Sequence, residues 1–380
     1  MKKIALIALR NINNIGEDLL DINTEYIIRS IMTDIDIKRV ELLPNKYELG
    51  NKFLLDLLVY KFLKIISEKF IINKNLSYKI KALAYKFKLK RYMEEKLKNV
   101  DSIVYSVGML KYTTQDFSYI FYIINKIAKK YNISVFMSAM SIEEADLDDW
   151  RCKQLIEAMS CSSVKMVTTR DTEQELNILK NVYLKNNLIC KFEIVGDPAL
   201  WTSDFIKMKE KKNKKIGIGL IRTGIYKDYG NKELDDKYVL NLYKDIIQEL
   251  EKRKMEWSLF CNGMQEDYEV GISLLKELNL SNDKLMPKPN SPQDLINILS
   301  NFKVVLGARL HCCITSYTYD IPIVGLIWDN KLRAFARKIE WYDNFVEKED
   351  LNAKYIVNKL IEIEDKKYNK ELFYQLKKVL

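Results

Sequence analysis

The stretch GARLHCCITSY, residues 307–317, places Arg309 two positions before His311, the single histidine of the 380-residue chain. An arginine grips a phosphate or carboxylate through two parallel N–H donors. A histidine beside such an anion can hold a second proton and deliver it as a general acid. The apolar run before Gly307 reads as a strand and Gly307-Ala308 as a turn. From Arg309 onward the pattern reads as a helix start, whose unpaired amides favour anions. A structural histidine held by its neighbours is the alternative at this point.

Two further cations fall at comparable places. IPIVGLIWDNKLRAF puts Asp329 and Lys331 just past the end of the next apolar run, where Lys331 can neutralise a second anionic group. A surface loop that merely ends a strand is the other reading there. Arg222 follows the run KIGIGLI at what should be the same sheet edge.

The elements that must position these residues alternate along the chain. KIALIAL, RVELLP, DSIVYSV, ISVFMSA, VKMVTT and FEIVGD are predicted strands of the first half. IGEDLLDINTEYIIRSIM and SYIFYIINKIAKKY read as helices between them. The rhythm restarts with KIGIGLI, EWSLFC, DKLMPKP, KVVLGA and IPIVGLI, with helices such as YVLNLYKDIIQELEKR and SPQDLINILSNF. In the latter, Ser291 can cap, Pro292 suits the first turn and Asp294 the helix dipole. Alternation of this kind predicts parallel sheets covered by helices. The expectation is an α/β protein of two Rossmann-like domains facing a central cleft. The first spans residues 1–206, with a basic helical insertion at about 46–99. A lysine-rich linker follows at 207–215, then a second domain at 216–350 and C-terminal helices at 351–380.

Composition bounds the function classes. Apolar residues make up 48% and charged residues 30%, as in soluble proteins with sizeable cores. No run approaches the length of a membrane span. In MKKIALIAL the apolar core is ended by Arg10 without a cleavage site behind it, so a first strand fits better than a signal peptide. The six cysteines show no C-x-x-C spacing, and one histidine cannot complete the usual zinc patterns. They read as buried thiols of a reducing compartment, so a cytoplasmic protein is expected. The net charge of +10 is concentrated: residues 46–99 hold 14 Lys and Arg against 5 Asp and Glu, and the remaining 326 residues sum to +1. Apolar and aromatic residues recur there at helical spacing. Either this is a helical insertion with a solvated lysine face, or it is a surface for peripheral contact with the inner face of an anionic membrane. No recognition-helix, RRM or zinc-finger pattern points to nucleic acid.

Taken together, the motifs resemble those of the polysaccharide pyruvyl transferase family. GARLHCCITSYTYDIPIVGLIWDNKLRAFARKI looks like its Gly-x-Arg-Leu-His block, the strand after it and its Asp-x-Lys turn. VTTRDTEQELNILK, with Arg170 and Asp171, and IVGDPALW, with Asp197, Pro198 and Ala199, look like two upstream motifs. NNIGEDLL resembles the family's Asn-x-Gly-Asp turn, here Asn14-Ile15-Gly16-Glu17 with Asp18 next. The family's glycine-rich turn near position 105 is reduced to SVGMLKY, with Gly108 alone.

The resemblance implies a glycosyltransferase-B-like fold. It also implies transfer of pyruvate from phosphoenolpyruvate to two hydroxyls of a sugar or lipid-linked saccharide, as a ketal. No metal and no cofactor are implied, phosphoenolpyruvate being the donor substrate. Arg309 and His311 take the family's functional positions, with Arg222 and Lys331 as donor-binding candidates. Glu17 and Asp18 are acceptor-side candidates for a base, against a plain helix-capping role. Two alternatives stand beside this. One is a nucleotide-sugar glycosyltransferase of the same fold, although Glu340, Glu347 and Glu349 miss the E-x7-E spacing of many retaining enzymes. The other is a non-catalytic protein of envelope-polysaccharide assembly.

Overall fold

The computed structural model describes residues 1–10, 12–50, 53–70, 73–113, 116–210 and 215–377. The chain divides into two compact units, Met1–Asn11 with Leu20–Val195, and Ile12–Leu19 with Gly196–Leu380. Residues 211–214 of the expected linker lie outside the described residues, and Lys215 opens a strand.

The first unit holds β1 (Lys2–Ala8), β2 (Ile35–Glu41), β3 (Ser102–Tyr105), β4 (Met109–Leu110), β5 (Ser134–Ile142), β6 (Val164–Thr169) and β7 (Lys191–Ile194). They form one sheet in the order β2-β1-β3-β5-β6-β7, with β4 paired to β5, and every pair is parallel. Its helices are α1 (Ile15–Ile31), α2 (Lys46–Leu49), α3 (Leu54–Lys69), α4 (Lys74–Leu97), α5 (Phe117–Lys130), α6 (Trp150–Met159) and α7 (Glu173–Ile178). Helix α1 begins in the second unit and continues in the first. The middle of β1, Ala5-Leu6-Ile7, is fully buried, as a central parallel strand covered on both faces must be. Helix α5 buries Phe117, Ile120, Phe121 and Ile124 on its apolar face. At the end of β2 the buried Glu41 accepts N–H bonds from Arg10 (3.1 Å) and Leu43 (3.3 Å). Burial pushes its carboxyl up to about 7 despite those bonds.

The second unit holds β8 (Lys215–Gly219), β9 (Trp257–Phe260), β10 (Phe302–Gly307), β11 (Ile323–Leu326) and β12 (Phe345–Val346), in the order β12-β11-β10-β8-β9, again all parallel. Helices α8 (Thr202–Phe205), α9 (Ile225–Asp228), α10 (Asp236–Lys252), α11 (Gln265–Glu277), α12 (Pro292–Leu299), α13 (Leu310–Thr318), α14 (Asn330–Lys338), α15 (Ala353–Glu362) and α16 (Lys370–Lys377) accompany it. Trp257, Ile218, Leu306, Ile246 and Ile356 meet in one core. At α12 the expected start is present: Ser291 Oγ accepts the Asp294 N–H at 3.2 Å and Pro292 occupies the first turn.

From β8 the chain moves to β9 at one edge, then returns to lay β10, β11 and β12 on the other side. The order therefore reverses between β8 and β10. In parallel α/β sheets ligands collect beyond the strand ends at such a reversal.

Some predicted elements shift. DKLMPKP is not a strand: Asn282–Lys284 is a 3-10 turn and Leu285 makes one isolated bridge to Leu259. Pro287 and Pro289 lack the N–H groups that a ladder needs. Strand β2 begins at Ile35, ahead of the RVELLP run, because an edge strand tolerates the charged residues that precede it. The two-residue strands β4 and β12 carry too little pattern to be seen.

Candidate functional site

Strand β10 ends at Gly307, and Arg309 is the residue that caps α13. A Cβ at Gly307 would come within 2.5 Å of Cys313 Sγ, so glycine lets the helix pack tightly against its own strand. The Trp328 indole donates to the Ala308 carbonyl at 2.6 Å and pins the turn. Arg309 makes no side-chain cap to α13. Helix starts leave their first amides without intrahelical partners, and the helix dipole adds positive potential there.

The Arg309 guanidinium is fixed from behind by a fully buried carboxylate. Its Nε and Nη2 donate to Asp267 Oδ2 and Oδ1 at 2.9 and 2.7 Å. Asp267 lies in the first turn of α11 and also accepts the Arg222 backbone N–H at 2.8 Å. One carboxylate thus ties together the loops after β8 and β10, the two strands at the reversal. Nη1 and one hydrogen of Nη2 take no part in that bidentate bond and stay available to an anion. The Arg222 guanidinium itself pairs with Asp228 at 2.5 Å on the exposed side.

His311 is the second residue of α13, with its side chain 11% exposed. Its Nε2 lies 3.6 Å from Asp197 Oδ2, so a carboxylate is in place to pair with the imidazolium form. The other Asp197 oxygen accepts the Ala199 N–H at 2.9 Å, which orients the carboxylate. On the far side of the ring sits Gly16: a Cβ there would fall onto Nδ1 and within 2.9 Å of Cγ. Only a glycine allows the backbone so close. The Asn14 side chain shapes that turn by accepting the Gly16 N–H at 3.0 Å. Gly263, after β9, supports the turn in the left-handed region (φ +95°), where a Cβ would press on Ile15 at 2.7 Å.

The predicted residues are distributed as follows. Arg309, His311 and Arg222 come together, the last through its backbone. Lys331 stands, half-buried, in the first turn of α14 after β11, the strand beside β10. Glu17 and Asp18 occupy the first turn of α1, next to Gly16 and in the same unit as His311. Glu17 is buried and Asp18 half-buried. Two residues in contact with Arg309 and His311 were not predicted. Asp267 gave no signal beyond an acid in a helix's first turn, and Asp197 was visible only as part of a motif without a role. Cys312 and Cys313 are buried free thiols, and burial pushes Cys312 up to about 12. Among the described residues, no group of three or more His, Cys, Asp or Glu side chains is placed to hold a metal ion.

Parallel sheets in two units, and the solved structures they resemble, give an α/β protein of glycosyltransferase-B-like fold. Solved structures of similar fold include the UDP-GlcNAc 2-epimerase of Methanocaldococcus jannaschii, at 14% identity and a TM-score of 0.53, covering 98% of this chain and 96% of that one. Another is a UDP-forming trehalose-phosphate synthase from Burkholderia xenovorans, at 8% identity and a TM-score of 0.53, covering 99% and 94%. At such identities the likeness is one of fold alone. No curated protein matches the sequence. The chain belongs to the polysaccharide pyruvyl transferase family, whose sequence model matches residues 14–330. That span takes in Gly16, Asp197, Asp267, Arg309 and His311, and stops one residue short of Lys331.

Proposed function

We propose that the chain transfers the pyruvyl group of phosphoenolpyruvate to two hydroxyls of a sugar in a cell-surface polysaccharide or its precursor, forming a pyruvate ketal and releasing phosphate. The observation that carries the reading is Arg309, held by buried Asp267, two positions before His311, which has Asp197 within 3.6 Å. Phosphoenolpyruvate has a phosphate and a carboxylate, which call for at least two cationic groups. Arg309 with the α13 amides suits one, and Lys331 or Arg222 the other.

Protonated His311 donates its proton to the methylene carbon, and the double-bond electrons form the new C–H bond. The former C2 becomes an oxocarbenium centre that still carries phosphate. A sugar hydroxyl adds there and loses its proton to a base. Phosphate then departs with its bonding electrons, a second hydroxyl closes the ketal, and its proton is lost in turn. Asp197 pairs with the imidazolium before transfer. Glu17 and Asp18, in the turn beside the ring, are the candidates for the base.

Thermal-shift titration tests the donor. Phosphoenolpyruvate should raise the melting temperature of the wild type and leave that of Arg309→Ala unchanged, since ligand stabilises by the logarithm of its concentration over Kd. In turnover assays, His311→Asn should lose on the order of 10²- to 10⁴-fold in rate while keeping donor binding. The second reading is a nucleotide-sugar-dependent glycosyltransferase, favoured by the fold it has in common with UDP-sugar enzymes. A shift with a UDP-sugar and none with phosphoenolpyruvate would replace the first reading with this one.

A further inference from the structure

Helix α3 carries more apolar residues than its packing covers. Its buried residues are Tyr60 and Ser67, on the side that packs along α4, where the Tyr60 and Tyr85 rings meet edge-on at 5.3 Å. Leu57, Val59, Leu63 and Ile66 are half-buried, and a second set of apolar residues is exposed. Leu54, Leu55, Leu58, Phe62 and Ile65 recur at helical spacing and are each between 49% and 73% exposed. Phe70 extends the stripe past the helix end. A helix whose only task was to cover the sheet would turn such a stripe inward. Lys61, Lys69 and Lys74 stand exposed along the same stretch.

The charge argues for the occupant. Residues 46–99 carry 14 Lys and Arg against 5 Asp and Glu. On the flank of α4 turned to α5 and α6 lies a cavity of about 630 Å³ lined by Lys79, Lys86 and Lys90 of this segment and by three further lysines, Lys126, Lys130 and Lys153. A two-fold dimer through this face would set the same positive segment against itself. A lipid surface satisfies both halves of the pattern. Leu and Phe side chains enter the acyl boundary, and lysines around them meet anionic headgroups.

We infer that the exposed face of α3 docks the protein on an anionic membrane surface, with the helix lying in the interface plane. The inference is independent of the donor chemistry. Its test is co-sedimentation of the full-length chain with vesicles of phosphatidylcholine alone and of phosphatidylcholine mixed with phosphatidylglycerol. Binding to the anionic vesicles should exceed binding to neutral ones by roughly tenfold or more and fall with added salt. Leu55→Glu/Phe62→Glu should lose roughly tenfold of that binding at unchanged melting temperature. Should that variant unfold, Leu55→Ser/Phe62→Ser replaces it, and Lys61→Glu/Lys69→Glu should remove most of the salt-sensitive part. Failure to sediment with anionic vesicles overturns the inference, and so does a folded stripe variant that binds like the wild type. A wild-type dimer that the stripe variant converts to monomer, seen by light scattering, assigns the face to a second copy and equally overturns it. Because vesicle binding needs no turnover, a chain that binds vesicles but ignores phosphoenolpyruvate would refute the proposed activity alone.

Discussion

Arg309 is held as a pair with Asp267. The carboxylate is fully buried, and removing it strands a guanidinium whose side chain is 20% exposed. Asp267→Ala should therefore cost about 3 kcal/mol of stability, read from urea unfolding. Asp267→Asn keeps the volume but aims amide hydrogens at the guanidinium, and donor affinity should fall about tenfold by calorimetry. Gly16→Ala should be felt at the imidazole: the added methyl displaces the ring, with a stability cost of roughly 1–3 kcal/mol. A kcat loss out of proportion to any change in donor Kd would mark the displacement of His311. The strand, turn and helix start around Arg309 and His311 were legible in the sequence because they are local patterns. Asp267 was not, because its bond to Arg309 spans 42 residues and acids in first turns are ordinary. The Gly16 contact was hidden in the same way: its reason for being glycine is a ring from the other end of the chain.

At the level of elements, β2 carries its own test. The Glu41 carboxyl is raised from 4.5 to about 7 by burial. A carboxyl raised on folding contributes stability in full below its unfolded value, and this is lost as pH rises toward the folded one. Between pH 4.5 and 7 the loss should approach about 3 kcal/mol, and Glu41→Gln should flatten the slope in pH-dependent unfolding. Strand β6 falls where its run VKMVTT predicts, because Val and Thr are β-branched residues that suit an interior strand. Edge strand β2 and the proline-broken 283–289 segment were misread because half-exposed backbone relaxes the demand for pattern. The basic segment was legible as helix. That α3 leaves part of its apolar surface uncovered was not, since periodicity does not say which residues find a partner.

For the whole molecule, the residues assigned to the donor all belong to the second unit, whose members come from both ends of the matched region. Phosphoenolpyruvate should therefore slow amide exchange in peptides covering 12–19, 260–270 and 307–313 more than in those covering β2 or β3. Uniform protection along the chain would count against a donor site at Arg309. The shared helix α1 also has a meaning in time. Ribosomes extend a chain at about 5–20 residues per second, so the Gly16 turn leaves the tunnel roughly 15–60 seconds before His311 does. The first sheet is finished when β7 has been made, while the opening turn of α1 still lacks its mate. A nascent chain halted before β10 should hold a protected β1 beside a protease-sensitive segment at 12–19, which becomes resistant only after α13 has been synthesised.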